Sequence, residues 1–161
     1  MSVLRPTPRF VFSHPAHAVA FGFGAGLAPT APGTFGTLLG WVIGLALGAV
    51  QPAAVLPAAL VFFAIGVWAC GVTGRHLGVA DHGGMVWDEV AAFVLVLALV
   101  PWELPWQLAA FGAFRFFDIA KPPPIRQLDS AFKNGFGVMV DDFAAAGYTL
   151  LALAVWRTLV G

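Results

Sequence analysis

The chain has 161 residues, 60% of them hydrophobic and only 10% charged, and its eight Lys and Arg balance eight Asp and Glu to a formal net charge of +0. Soluble domains carry about 25% charged residues, so the composition excludes an ordinary water-soluble globule and points to a membrane protein of one domain, residues 1–161. No basic cluster is dense enough to neutralise a row of phosphates, which excludes nucleic acid as a partner, and the lone Cys70 excludes an internal disulfide and a paired-cysteine metal site.

The N-terminal arm places Arg5 and Arg9 ahead of apolar residues, but His14, Pro15 and His17 interrupt them, so no cleaved leader is expected. His14, His17 and His76 read as surface or interface residues. "GFGAG" at 22–26 has no strand before it and no acid about twenty residues on, which removes a dinucleotide loop. The stretch continues through "PGTFGT" into the first apolar segment, and two readings stand equally. The glycines allow close helix packing, or the segment's N-terminus offers free N–H groups to an anion, with Thr34 and Thr37 adding hydroxyl donors.

Apolar segments follow at 35–50, 53–72, 86–101, 105–120 and 138–158. Several are short of the roughly 20 residues that span a bilayer, and prolines at 52, 101, 105 and 122–124 mark their ends. The expectation is an all-α, polytopic membrane helical bundle of four to five spans. Arg5, Arg9, Arg75, Lys121, Arg126 and Lys133 fall in the arm and in the second and fourth connections, which puts these on the cytoplasmic side. Arg157 is the exception. Trp102, Trp106 and Trp156 suit the membrane–water interface.

With that orientation the polar residues gather at the cytoplasmic face: Asp81, His82, Asp88 and Glu89 on the third segment, Arg115, Asp118 and Lys121 on the fourth, Asp141 and Asp142 on the fifth. Arg115, Asp118 and Lys121 stand at i, i+3 spacing, a plus, minus, plus ladder along one helix face. A salt-bridge cluster fastening the helices is one account, but the adjacent pairs Asp88/Glu89 and Asp141/Asp142 outnumber the local cations. Such pairs call for a divalent ion, and oxygen ligands favour a hard one, Mg²⁺ before Ca²⁺ or Mn²⁺. Zinc through His82 lacks a second histidine at helical spacing. Metal, guanidinium and ammonium together, with Arg115, Lys121 and Arg126 as anion partners, are the chemistry of a phosphate.

The blocks "GLAPTAPGTFGT", "DHGGMVWDEV", "FRFFDIAKPPPIRQLD" and "GFGVMVDDFAAAG" cover most of the chain from Gly22 to Gly147. In order and spacing they resemble the bacterial phosphatidylglycerophosphatase A family. The resemblance implies a Mg²⁺-dependent lipid phosphatase of the inner membrane that converts phosphatidylglycerophosphate to phosphatidylglycerol, with an anionic phospholipid as its substrate. By motif it carries over Asp81, His82, Asp88, Glu89, Arg115, Asp118, Lys121, Asp141 and Asp142 as site residues. The working assignment gives the metal to Asp88, Glu89 and Asp142, with Asp118 or Asp141 assisting. Substrate charge goes to Arg115, Lys121 and Arg126, and the attacking group is either water or an aspartate. The rival is an ion or metabolite transporter, which expects acids spread through the depth of the spans. The signatures of CDP-alcohol phosphotransferases, of histidine-based lipid phosphatases and of haloacid-type phosphatases are missing.

Overall fold

The computed structural model describes residues 6–160; Arg5, counted above among the inner cations, lies outside the described residues. Two short helices, α1 (Pro8–Val11) and α2 (Pro15–Ala20), and a 3-10 turn at Gly22–Leu27 precede the long elements. These are α3 (Pro32–Val50), α4 (Val55–Leu77), α5 (Trp87–Leu99), α6 (Leu104–Ala120), the short α7 (Ile125–Ala131), and α8 (Gly135–Val160). Prolines open α1, α2, α3 and α6 within their first two positions. There the missing N–H removes no helical bond. Gly78 closes α4 in the left-handed region, at φ 72°, the conformation a glycine adopts without steric cost.

The result is the all-α membrane bundle the composition called for. Three stretches are long and apolar enough to cross a membrane: Pro32–Val50, Pro52–Leu77 and Gly135–Val160. The third and fourth apolar segments give shorter helices, α5 of 13 residues and α6 of 17. Thirteen residues rise only about 20 Å against a hydrocarbon core of about 30 Å. α5 is apolar for a different reason: it is the central helix, wrapped by α3, α4 and α8, with Val90, Ala91, Ala92, Phe93 and Val94 all buried.

Close approach of α3 to α5 depends on glycine. A Cβ on Gly40 would stand 2.7 Å from Val90 O, one on Gly36 2.7 Å from Val86 Cβ, and one on Gly44 2.6 Å from Leu97 Cδ1. Small residues at i, i+4 spacing let the two backbones meet, which is how helices gain packing energy where lipid removes the hydrophobic drive. Of the two readings of the glycine-rich stretch, close packing accounts for Gly36, which lies in it, and Gly40 and Gly44 continue the same row beyond it.

Helix polarity gathers one set of ends. The N-termini of α3, α5 and α8 and the C-termini of α4 and α6 meet at one end of the bundle, joined there by contacts among Gly33, Glu89, Arg115, Lys121 and Asp141. The far end carries Trp102 against Gly48 of α3 and Trp106 beside Trp156. That separates the tryptophans from the carboxylates by the length of the bundle.

Candidate active site

Two helices deliver the carboxylates, α5 and α8. Asp88 and Glu89 occupy the first turn of α5, where the N-terminal end of the helix favours negative charge. Asp142 comes from the second turn of α8. One carboxylate oxygen from each of Asp88, Glu89 and Asp142 lies within 4.8 Å of the others. Asp88 is 7% exposed and Asp142 3%, and the Glu89 side chain 12%. Asp88 Oδ1, Glu89 Oε2 and Asp142 Oδ2 are buried with no hydrogen-bond partner in the protein. Buried carboxylate oxygens left bare are costly. Three converging on one point form a donor set that fits a hard divalent cation.

The cations divide between two jobs. Arg115 of α6 is ion-paired with Asp118, one turn on, and its Nη1 stands 3.7 Å from Glu89 Oε1. Its Nε is buried and unpartnered, so the guanidinium keeps a donor in reserve. Lys121 departs from the expected ladder. The helix ends at Ala120, Lys121 takes a left-handed conformation (φ 44°), and its ammonium turns to Asp141 Oδ2 at 2.7 Å and Asp129 Oδ1 at 3.3 Å. Burial works against the Lys121 charge, but the Asp141 and then the Asp129 carboxylates overcome it, and its pKa is raised. Asp141 also accepts from its neighbour's backbone, Asp142 N, at 3.0 Å. Both its oxygens are engaged, which makes it a fastener of Lys121 and of the α8 turn that aims Asp142.

The remaining sequence candidates are not part of the carboxylate cluster. Asp81 is exposed and His82 half-buried in the loop before α5. His82 Nδ1 accepts from Gly84 N at 3.0 Å, a local bond that leaves its other ring nitrogen uncommitted among the described residues. Arg126 is exposed on α7 and makes no ion pair among the described residues. Thr34 is half-buried, while Thr37 is fully buried and its hydroxyl donates to Gly33 O at 2.9 Å. That donor is committed within α3 rather than offered to an anion. Gly33 was missed as a site residue: a Cβ there would collide with Glu89 Oε1 and with the Arg115 guanidinium. Its signal in the sequence is a glycine directly after the proline that opens the first span, where the helix start must lie flat against a neighbour.

Fold and site together define a class: an all-α membrane protein with a buried carboxylate and arginine centre at one end of the bundle. The family model for phosphatidylglycerophosphatase A matches residues 18–157. The chain belongs to that family, a family of phosphatase enzymes. It is 42% identical over 159 residues to the phosphatidylglycerophosphatase A of Haemophilus influenzae, covering 95% of each chain. To the Escherichia coli protein of the same name it is 38% identical over 141 residues, 85% of this chain and 80% of the other. A Bacteroides thetaiotaomicron relative named a putative phosphatidylinositol-3-phosphatase is 39% identical over 151 residues, 89% of this chain and 94% of that one. No solved structure matches the chain. Bacterial relatives and apolar helices make this a bacterial membrane protein.

Proposed function

We propose that this chain hydrolyses the terminal phosphomonoester of phosphatidylglycerophosphate, releasing phosphatidylglycerol and phosphate, with Mg²⁺ as cofactor, at the cytoplasmic face of the inner membrane. The observation that carries it is the convergence of Asp88, Glu89 and Asp142, each with a buried oxygen that no protein group satisfies. The relatives named for this activity support the substrate. The side is supported by Arg75, Arg115, Lys121, Arg126 and Lys133, which share the carboxylate end, since Lys and Arg accumulate in cytoplasmic connections.

Asp88, Glu89 and Asp142 would hold the metal through their bare oxygens. Mg²⁺ bound there supplies Lewis-acid polarisation of the phosphoryl oxygens. Arg115, steadied by Asp118, gives its free Nε–H to a phosphoryl oxygen as charge redistributes in the transition state. Lys121, steered by Asp141 and Asp129, adds a second positive charge at the same end. His82 accepts at Nδ1, so its neutral form carries the proton on Nε2, from which it can donate a hydrogen bond to the departing glycerol oxygen without losing the proton.

A transporter would place its carboxylates near the middle of the bilayer, where binding sites of alternating-access proteins lie. Here they sit within two turns of the helix ends. The test is phosphate release by purified protein in mixed micelles of phosphatidylglycerophosphate, with Mg²⁺ and then with EDTA. Release that chelation abolishes and Mg²⁺ restores is expected. No release from folded protein under either condition would overturn the phosphatase reading and send the question to ion-flux assays in liposomes.

A further inference from the structure

Like Arg126, two further cations at the carboxylate end take no part in the ion pairs above. Arg75, in the last turn of α4, and Lys133, between α7 and α8, are both exposed, and neither pairs with a carboxylate among the described residues. They line a cavity of about 550 Å³ between α4 and the start of α8, together with Cys70, Gly71, Gly74 and Asn134. The guanidinium folds back along the glycine wall, since a Cβ on Gly71 would stand 3.7 Å from Arg75 Nη1 and 3.9 Å from Gly135 Cα. A second cavity of about 310 Å³ shares Lys133 with the first and is lined by Asp81 and Asp129. Asp129 is the carboxylate that pairs with Lys121. Lys121 in turn pairs with Asp141, the neighbour of Asp142 on α8, so the two cavities lead toward the carboxylate centre. The cavity therefore adjoins the carboxylate centre and is separately provided with positive charge.

We propose that this cavity receives the second phosphate of the substrate, the phosphodiester that is not hydrolysed, with Arg75 and Lys133 selecting a head group that carries both a diester and a monoester. The proposal rests on the phosphatase reading above. The carboxylate centre repels an anionic head group until its metal is bound. A lipid with an additional negative charge needs a cationic contact displaced from that centre, and a guanidinium with an ammonium supplies one. A cavity of this size accommodates a glycerophosphate. Arg75 and Lys133 are then specificity-determining residues, and neither enters the chemical step.

Two lipids divide the chemistry: phosphatidic acid carries the monoester without the diester, and phosphatidylglycerol the diester without the monoester. Steady-state kinetics in Mg²⁺-containing mixed micelles would compare wild type with R75Q, K133Q and the double variant. Both positions are exposed, so folding should be kept, and a thermal unfolding trace checks it. The double variant is expected to raise KM for phosphatidylglycerophosphate by about tenfold, the loss of one or two charge-assisted bonds, with kcat retained. KM for phosphatidic acid should hold, and the inhibition constant of phosphatidylglycerol should rise in parallel. Equal losses on both substrates would make these cations a general attractor of anionic surface and overturn the proposal, as would no loss on either. Orthophosphate, the other source of the same chemistry, runs as a second competitor. If its inhibition weakens in the variant while that of phosphatidylglycerol does not, the cavity is a product-phosphate site and the proposal falls. A wild type inactive on both lipids brings down the phosphatase reading and this one with it. An active wild type whose preferences survive in the double variant brings down this one alone. Where wild type takes only phosphatidylglycerophosphate, the KM shift and the phosphatidylglycerol inhibition decide.

Discussion

Asp142 shows what the site demands of a single residue. It is buried on α8, its Oδ2 has no protein partner, and Asp88 and Glu89 converge on the same point, with Arg115 paired to Glu89. Like charges held together out of water destabilise the fold unless something neutralises them. Asp142→Asn should therefore lower turnover by about 100-fold or more, the scale on which losing a group that stabilises transition-state charge is felt, without loosening the fold. In metal-free detergent its melting temperature should equal or exceed that of wild type. Mg²⁺ should raise the wild-type melting point, since a ligand at 100 times its Kd adds about 2.7 kcal/mol, and should raise that of the variant little. Differential scanning fluorimetry with and without EDTA reads all three effects. A variant that melts well below metal-free wild type would instead make the acids structural fasteners, the salt-bridge account that the sequence left standing.

At the level of elements, the α3–α5 contact is the tightest test of the packing argument. Gly40→Ala puts a methyl 2.7 Å from Val90 O, a backbone atom that cannot rotate away, and should cost about 1–3 kcal/mol as α3 is pushed off the central helix. Gly112, mid-helix in α6, has nothing within 4 Å of its would-be Cβ, so Gly112→Ala should gain about 0.5–1 kcal/mol. Thermal unfolding of the two variants in the same detergent compares them; shifts of the same sign would refute the packing argument. Much of this layer was legible in the sequence. Proline positions marked helix starts, and glycine spacing offered close packing as one of two readings. The 13-residue length of α5 was not legible. A run such as "AAFVLVLALV" is equally apolar whether lipid or protein surrounds it, and hydropathy alone does not separate the two. The Arg115–Asp118–Lys121 ladder misread its last rung for a related reason. Spacing rules hold only while the helix continues, and Lys121 is the residue at which it turns out toward α8.

Across the whole molecule, segment order and charge bias were enough to gather the acids at one end. The layer formed by α1, α2 and the 3-10 turn was not foreseen, because its histidines carry no periodic signal and their partner lies 59 positions away. His17 is buried, stacked on Phe10 at 4.2 Å, and bonded through Nε2 to His76 Nδ1 at 2.8 Å, which ties α2 to the end of α4. Ala20 O then accepts from Val86 N at 2.8 Å, fixing the residue that precedes α5 and hence the turn bearing Asp88 and Glu89. Burial holds the His17 pKa below its ordinary 6.5; the Phe10 carbonyl opposes this, and the His76 and His14 charges add to it. The unfolded chain consequently binds more protons between the lowered value and 6.5. Stability drawn from neutral His17 is complete above that window and is lost as the pH falls through it. Wild type should lose more melting temperature than His17→Gln between about pH 7.5 and about pH 5, the range in which a histidine changes charge. Subtracting the variant's curve removes the titration of the carboxylate centre common to both; parallel curves would rule out His17 as the source. Because α2 braces the start of α5, turnover on the acid side should fall before the bundle melts, and more steeply in wild type than in the variant.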